Sequence, residues 1–145
     1  MMIRSLLFSP LLLFFFLLVV TPTAFAFTLT PSTNPEQIVQ SQLLAFQQQD
    51  MAGVYKYASP NNQAQVGNLD RFTQMIQNNN GPYKWLIGHT KSDILLSSNM
   101  AASKQYLVRV ICHESKIVEY WWSLSRCKMG PHAGCYMVDA VIPNQ

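Results

Sequence analysis

The chain has 145 residues, a formal net charge of +3 and 49% apolar residues, a size for which one domain is expected. Its ten basic residues are scattered singly. The sequence therefore lacks the clustered basic face typical of nucleic-acid binding, and we expect no nucleic-acid partner.

Residues 1–26 have the order of features of a secretory signal peptide. Arg4 gives a basic start, Leu11 to Val20 form an unbroken apolar run, and Ala24 and Ala26 occupy the −3 and −1 positions of a cleavage site. A retained membrane anchor is the alternative, but a span needs roughly 20 apolar residues. This run is shorter and is preceded by Pro10. We therefore expect cleavage, export, and no membrane contact afterwards.

Two destinations fit this N-terminus. Secretion is the first, and we expect a short polar leader at 27–33 followed by one domain at 34–145. The second is a plastid reached through a signal-peptide-first route. Phe27 after the cleavage site resembles the Phe-led import signal of complex plastids, and residues 27–33 hold three threonines, one serine and no acid.

The first half of the domain predicts three amphipathic helices. Asn34 caps the first, which ends near Gln49, and Asp50 caps the second. We interpret Ser59–Asn62 as a turn that stops the second helix. Asn68 caps a third helix, whose apolar side chains recur at helical spacing. The apolar positions are Val39, Leu43 and Phe46, then Met51, Val54 and Tyr55, then Leu69, Phe72 and Ile76.

The second half changes to the period of β-strands. One or two strands are expected between Tyr83 and Ser98, with a break at Gly88. A strand ending at Cys112 then turns at Glu114–Ser115 into a long strand, and a final strand covers Cys135–Ile142. Helices followed by an antiparallel meander predict an α+β fold with a curved sheet. Val118, Tyr120, Trp122 and Leu124 are expected to share one face.

Three segments carry a family resemblance. They are FQQQDMAGVYKYASPNNQAQVGNLDRFTQMI (46–76), LIGH (86–89) and GCYMVDAVIP (134–143). With them the chain resembles domain-of-unknown-function family 4864, of the nuclear transport factor 2-like superfamily, over residues 36–143. The resemblance implies a cone in which helices pack into a bent antiparallel sheet. Such cones include isomerases, dehydratases and non-catalytic binding or dimerisation domains, so the fold does not decide the function.

Cys127 and Cys135 flank a glycine-rich hairpin loop, and export favours their oxidation. We expect a disulfide between them, which would contribute roughly 2 to 3 kcal/mol. Two unbridged thiols are the alternative. Cys112 is expected at the other end of the sheet and unpaired. Cys127, His132 and Cys135 are too few for a structural zinc site, which needs four ligands, so we expect no metal.

Asp139 lies between apolar residues of the final strand. A carboxylate there is a candidate general acid or base inside the cone. The alternatives are an ion pair with Arg109 or Arg126, or a position facing solvent. His89, expected on the first strand, is a second candidate, and a pairing with Cys112 would rest on an uncertain register.

Tyr55, Arg71 and Trp122 are candidates for ligand contact, although core packing is the alternative for the aromatic pair. Arg71 could instead reach Asp50. The sequence thus favours a non-catalytic exported domain that binds a small apolar ligand or forms a homodimer through its sheet, without a cofactor. The alternative is a small isomerase or dehydratase. That enzyme would need Asp139 and a second polar group, such as His89 or a tyrosine, to converge in an enclosed cavity.

Overall fold

The computed structural model describes residues 28–145, and the predicted signal peptide at 1–26 lies outside them. In this described part, no helix has both the length and the apolar character that crossing a membrane requires. The leader residues 28–33 contact the domain. Leu29 packs against the core, and the carbonyl oxygen of Pro31 accepts a hydrogen bond from Arg126 at 3.0 Å.

Within residues 28–145, four helices precede the sheet: α1 (Pro35–Gln47), α2 (Met51–Tyr55), α3 (Pro60–Val66) and α4 (Leu69–Ile76). Each begins after a polar side chain that accepts a hydrogen bond from a backbone N–H of its first turn. The four capping residues are Asn34, Asp50, Ser59 and Asn68. A cap of this kind contributes about 1 kcal/mol, so the four caps, of which Asn34, Asp50 and Asn68 were predicted, explain where these helices begin.

The prediction of three helices was wrong, because the segment interpreted as a turn begins α3. Ser59 accepts a hydrogen bond from the backbone N–H of Asn62 at 3.2 Å, and Pro60 occupies the first turn. Proline lacks an N–H group that the first helical position would leave unpaired, and its φ angle suits a helix there. Helix α2 ends earlier, at Tyr55, and the segment Ser59–Asn62 starts the next helix.

The sheet has four antiparallel strands in the order β1-β2-β3-β4, which confirms the α+β class. They are β1 (Lys91–Asn99), β2 (Ser103–Ile111), β3 (Ile117–Arg126) and β4 (Tyr136–Pro143). A short 3-10 turn with positive φ at Glu114 and Ser115 joins β2 to β3, as the sequence predicted. Strands β1 and β4 form the two edges.

No strand forms between Tyr83 and Gly88, where the backbone makes consecutive turns. Gly88 has a φ of 63°, a left-handed conformation that favours glycine. Its N–H donates to the carbonyl oxygen of Phe46, at the end of α1, at 3.0 Å. This stretch therefore connects the helices to the sheet, and the first strand starts only at Lys91.

The core lies between the helices and one face of the sheet. On β3, Tyr120, Trp122 and Leu124 are fully buried on that face, and Val118 packs against the core more peripherally. Their alternation confirms the prediction that these four side chains share one face. Burial of each such side chain contributes about 2 kcal/mol, so this strand supplies much of the stability.

Candidate functional site

A cavity of about 190 Å³, here called the β4 cavity, opens between the helices and the edge strand β4. All four helices contribute apolar side chains to its wall, and β4 contributes residues 138–142. No basic residue of the described chain lines it. The helical side of the wall contains Phe46, Val54, Val66, Phe72, Met75 and Ile76.

A β-bulge in β4 forms one side of the β4 cavity. Leu124 of β3 pairs with Val138, but the preceding residue, Ser123, pairs with Ala140. Asp139 is therefore an extra residue without a partner on β3. A bulge of this kind bends the strand and redirects side chains, and bulges often occur beside functional sites.

The backbone of Val138 is bonded to the helical layer. Its N–H donates to the carbonyl oxygen of Tyr57 at 2.8 Å, and its own oxygen accepts from the N–H of Ser59 at 2.8 Å. The side-chain amide of Asn62 donates to the same oxygen at 3.1 Å. These bonds hold α3 against β4 and fix the floor of the β4 cavity.

Asp139 is half-buried in the cavity wall. Within residues 28–145 its carboxylate has neither a hydrogen bond nor a salt bridge. The expected ion pairs are not formed, because Arg109 bonds to Glu119 at 2.8 Å and Arg126 donates to backbone carbonyl oxygens at 3.0 and 2.6 Å. The carboxylate is thus free to meet a ligand.

The other polar groups that face the β4 cavity are mostly engaged with the protein. Gln42 uses both ends of its amide in internal hydrogen bonds. Asn62 and Tyr83 each donate to a backbone carbonyl of β4. Burial raises the pKa of Tyr83, which keeps its phenol protonated. Among the described polar residues that line the cavity, Asp139 and the exposed Gln65 have side chains without a hydrogen bond to another described residue.

A family model for a domain of unknown function, DUF4864, matches residues 30–127. The chain belongs to this family. The comparisons with curated proteins and with solved structures each found no match. The matched range of the DUF4864 model ends before β4, so the bulge and Asp139 lie beyond it.

The structure separates His89 from Asp139 in this DUF4864 domain. His89 precedes β1 and does not lie on it as predicted. It is 2% exposed, its Nδ1 bonds to the carbonyl oxygen of Leu86 at 2.8 Å, and it does not line the β4 cavity. The proposed acid–base pair of Asp139 and His89 therefore does not assemble.

Cys112 is buried, and its thiol donates to the carbonyl oxygen of Trp85 at 3.2 Å. Burial raises the pKa of Cys112, an effect that Lys116 partly opposes, so the reactive thiolate form is disfavoured. Within the described residues Cys112 and His89 form no hydrogen bond. A nucleophile–base pair at this position is not supported.

The three predicted ligand contacts have other places in the fold. Tyr55 donates to the carbonyl oxygen of Gly67 at 2.7 Å, and Trp122 is fully buried. Arg71 is exposed, and Asp50 caps α2 instead of meeting it. None of the three lines the β4 cavity. Phe72 and Ile76 do line the cavity. The sequence showed them only as apolar residues at helical spacing, and that pattern does not distinguish a cavity wall from a filled core.

All three cysteines are free thiols, so the predicted Cys127–Cys135 disulfide is not present in the structure. Cys127 bonds through its N–H to the oxygen of Cys135 and through its oxygen to the N–H of Gly134, each at 2.8 Å. This is the pattern of a glycine bulge. The Cys127 thiol donates to the oxygen of Met129 at 3.0 Å. Backbone bonds thus close the loop, and no metal-binding cluster of three or more side chains lies within residues 28–145.

Proposed function

We propose that this is an exported, non-catalytic domain that binds a small apolar ligand in the β4 cavity. The single observation that carries the proposal is the composition of the wall: apolar side chains from four helices and one strand surround the space. Binding sites for small molecules are typically concave and apolar, with few convergent polar groups.

The volume of the cavity limits the size of the ligand. An apolar cavity of about 150 Å³ holds one benzene molecule, and the β4 cavity measures about 190 Å³. A single aromatic ring with a short side chain therefore fits. We infer that a cone of the nuclear transport factor 2 type describes this arrangement, since the helices pack on one face of the antiparallel sheet.

Binding is favoured over catalysis because, among the described residues, the one other free polar group of the β4 cavity is the amide of Gln65, and an amide is not a general acid or base. Tyr83 and Asn62 are committed to carbonyl oxygens of β4, and His89 lies elsewhere. A general acid–base reaction needs donor and acceptor groups within hydrogen-bond reach of the reacting atoms. Asp139 alone does not meet that requirement.

Filling the cavity provides the test. We expect indole to bind wild-type protein saturably and to shift the NMR methyl signals of Val54 and Ile76. Val66→Trp places a bulky ring in the wall and should abolish binding. Ala64→Trp adds the same ring on an exposed position of α3 and should leave binding intact. Near-ultraviolet circular dichroism checks the fold.

Val141→Phe, which enlarges an inward-facing side chain of β4 in the wall, gives an independent second variant. Unchanged indole affinity in both Val66→Trp and Val141→Phe would show that the site lies elsewhere. The absence of saturable binding to the wild-type protein would refute the proposal itself.

Self-association is the second candidate function. One apolar row crosses the sheet face opposite the helices, in which Leu96 pairs with Leu107, Leu107 with Trp121, and Trp121 with Ile142. Its outer members, Leu96 and Ile142, are 58% and 56% exposed. If this row forms a homodimer, sedimentation should show a dimer that Trp121→Ser dissociates. A wild-type monomer at high concentration would exclude it.

A further inference from the structure

We infer that the ligand of the β4 cavity is a small amphipathic cation, with its apolar body in the cavity and a protonated amine bonded to Asp139. This inference rests on the proposed function and names the chemical class of its ligand. It concerns free small amines, and it is carried by the position of Asp139 and by the charges around it.

Asp139 differs from the other partly buried carboxylates of the described chain because the fold does not use it. Glu36 accepts a hydrogen bond from Gln40 at 3.3 Å. Asp93 pairs with Lys91 at 3.1 Å, and Glu119 pairs with Arg109 at 2.8 Å. The hydrogen-bonding capacity of the Asp139 carboxylate is therefore available to a ligand that supplies a donor.

The backbone places Asp139 at the border of the cavity. Asp139 is the extra residue of the β4 bulge, and its neighbours Val138, Ala140 and Val141 also line the cavity. Asp139 therefore borders an apolar volume, and a molecule whose apolar body fills that volume would hold its head group next to this residue.

Charge determines which head group is favoured. Among the described residues that line the β4 cavity, Asp139 is the one with a charged side chain, and its charge is negative. Arg126 and Lys128 share a neighbouring depression with it, but neither forms a salt bridge to it, and Arg126 bonds to backbone carbonyl oxygens. An anionic head group would meet an uncompensated like charge, whereas a protonated amine gains a charge-assisted hydrogen bond.

Three probes that share a phenyl body separate the contributions of the body and the head group. They are 2-phenylethylamine, 2-phenylethanol and 3-phenylpropanoate, with affinities for the purified protein measured by NMR titration. We expect the amine to bind about tenfold more tightly than the alcohol, the usual scale of a hydrogen bond to a charged group. The carboxylate should bind more weakly than the alcohol. Added salt should reduce the preference, because it screens a half-exposed ion pair.

Asp139→Asn preserves shape and removes the charge, and we expect it to bring the amine to the affinity of the alcohol. Asp70→Asn is the matched control, because it removes the same charge from an exposed position outside the cavity. It should leave the tenfold preference intact.

Equal binding of amine and alcohol to the wild-type protein would overturn this inference and leave the apolar site standing. A preference that persists in Asp139→Asn would overturn it as well. If none of the three probes binds, both the inference and the proposed function fail. The wild-type comparison of probes needs no variant, so a folding defect in Asp139→Asn does not prevent the test.

Discussion

The buried amide of Gln42 joins three elements, and its replacement should destabilise the fold measurably. Its Oε1 accepts from Nε1 of Trp122 on β3 at 2.7 Å, and its Nε2 donates to the oxygen of Val54 on α2 at 3.0 Å. In Gln42→Leu the oxygen of Val54 keeps a backbone partner, the N–H of Tyr57. The indole N–H of Trp122 is left buried and unpaired.

The expected loss follows from these contacts. An unpaired buried donor costs about 2 kcal/mol and the lost bond to Val54 about 1 kcal/mol more, so we expect Gln42→Leu to lower the free energy of unfolding by about 3 kcal/mol. That is a large part of the roughly 5–15 kcal/mol typical of a domain. Urea unfolding followed by Trp fluorescence and by circular dichroism measures it.

Gln40→Leu is the control on the same helix, because Gln40 is exposed and its loss should change stability by less than about 0.5 kcal/mol. A double-mutant cycle with Trp122→Phe isolates the pair, and we expect a coupling of at least about 1 kcal/mol. A cost below about 1 kcal/mol for Gln42→Leu, or strictly additive effects in the cycle, would refute the reasoning.

Two further predictions concern a helix cap and a buried phenol. Ser59→Ala removes the cap of α3 and should cost about 1 kcal/mol in urea unfolding, whereas Ser59→Asp should retain most of that stability; equal losses would contradict a capping role. Burial raises the pKa of Tyr120 above its ordinary 10.0, so the unfolded chain loses this proton before the folded one. Stability should therefore fall as the pH rises above that value. Tyr120→Phe should reduce the fall, and an unchanged slope between about pH 9 and about pH 11 would contradict this.

Local signals predicted much of the fold. The caps Asn34, Asp50 and Asn68 each depend on backbone groups within three residues, so the sequence window contains the whole interaction. The turn at Glu114–Ser115 follows from a similar local pattern. The helix at Pro60 was missed because serine followed by proline suits both a turn and a helix start.

The candidate site was predicted less well, because its parts come from distant segments. Phe72 on α4 and Val138 on β4 line one cavity. The helical spacing of apolar residues around Phe72 would be the same if its side chain packed in a filled core, so the sequence does not reveal the cavity. His89 was expected near Cys112 on an assumed register, and the observed pairing of Lys91 with Ile111 keeps that register. His89 nevertheless precedes β1, and its ring bonds to the carbonyl oxygen of Leu86.

By itself, the sequence determined the family, the α+β class, most helix starts and which side chains of β3 share a face, since these depend on neighbouring residues and on the strand period of two. The tertiary structure decided that Asp139 borders an apolar cavity and that its carboxylate has no partner among residues 28–145. That outcome requires the bulge opposite Leu124 and the bonds from Val138 to Tyr57 and Ser59. Such contacts arise only when segments far apart in the chain pack together.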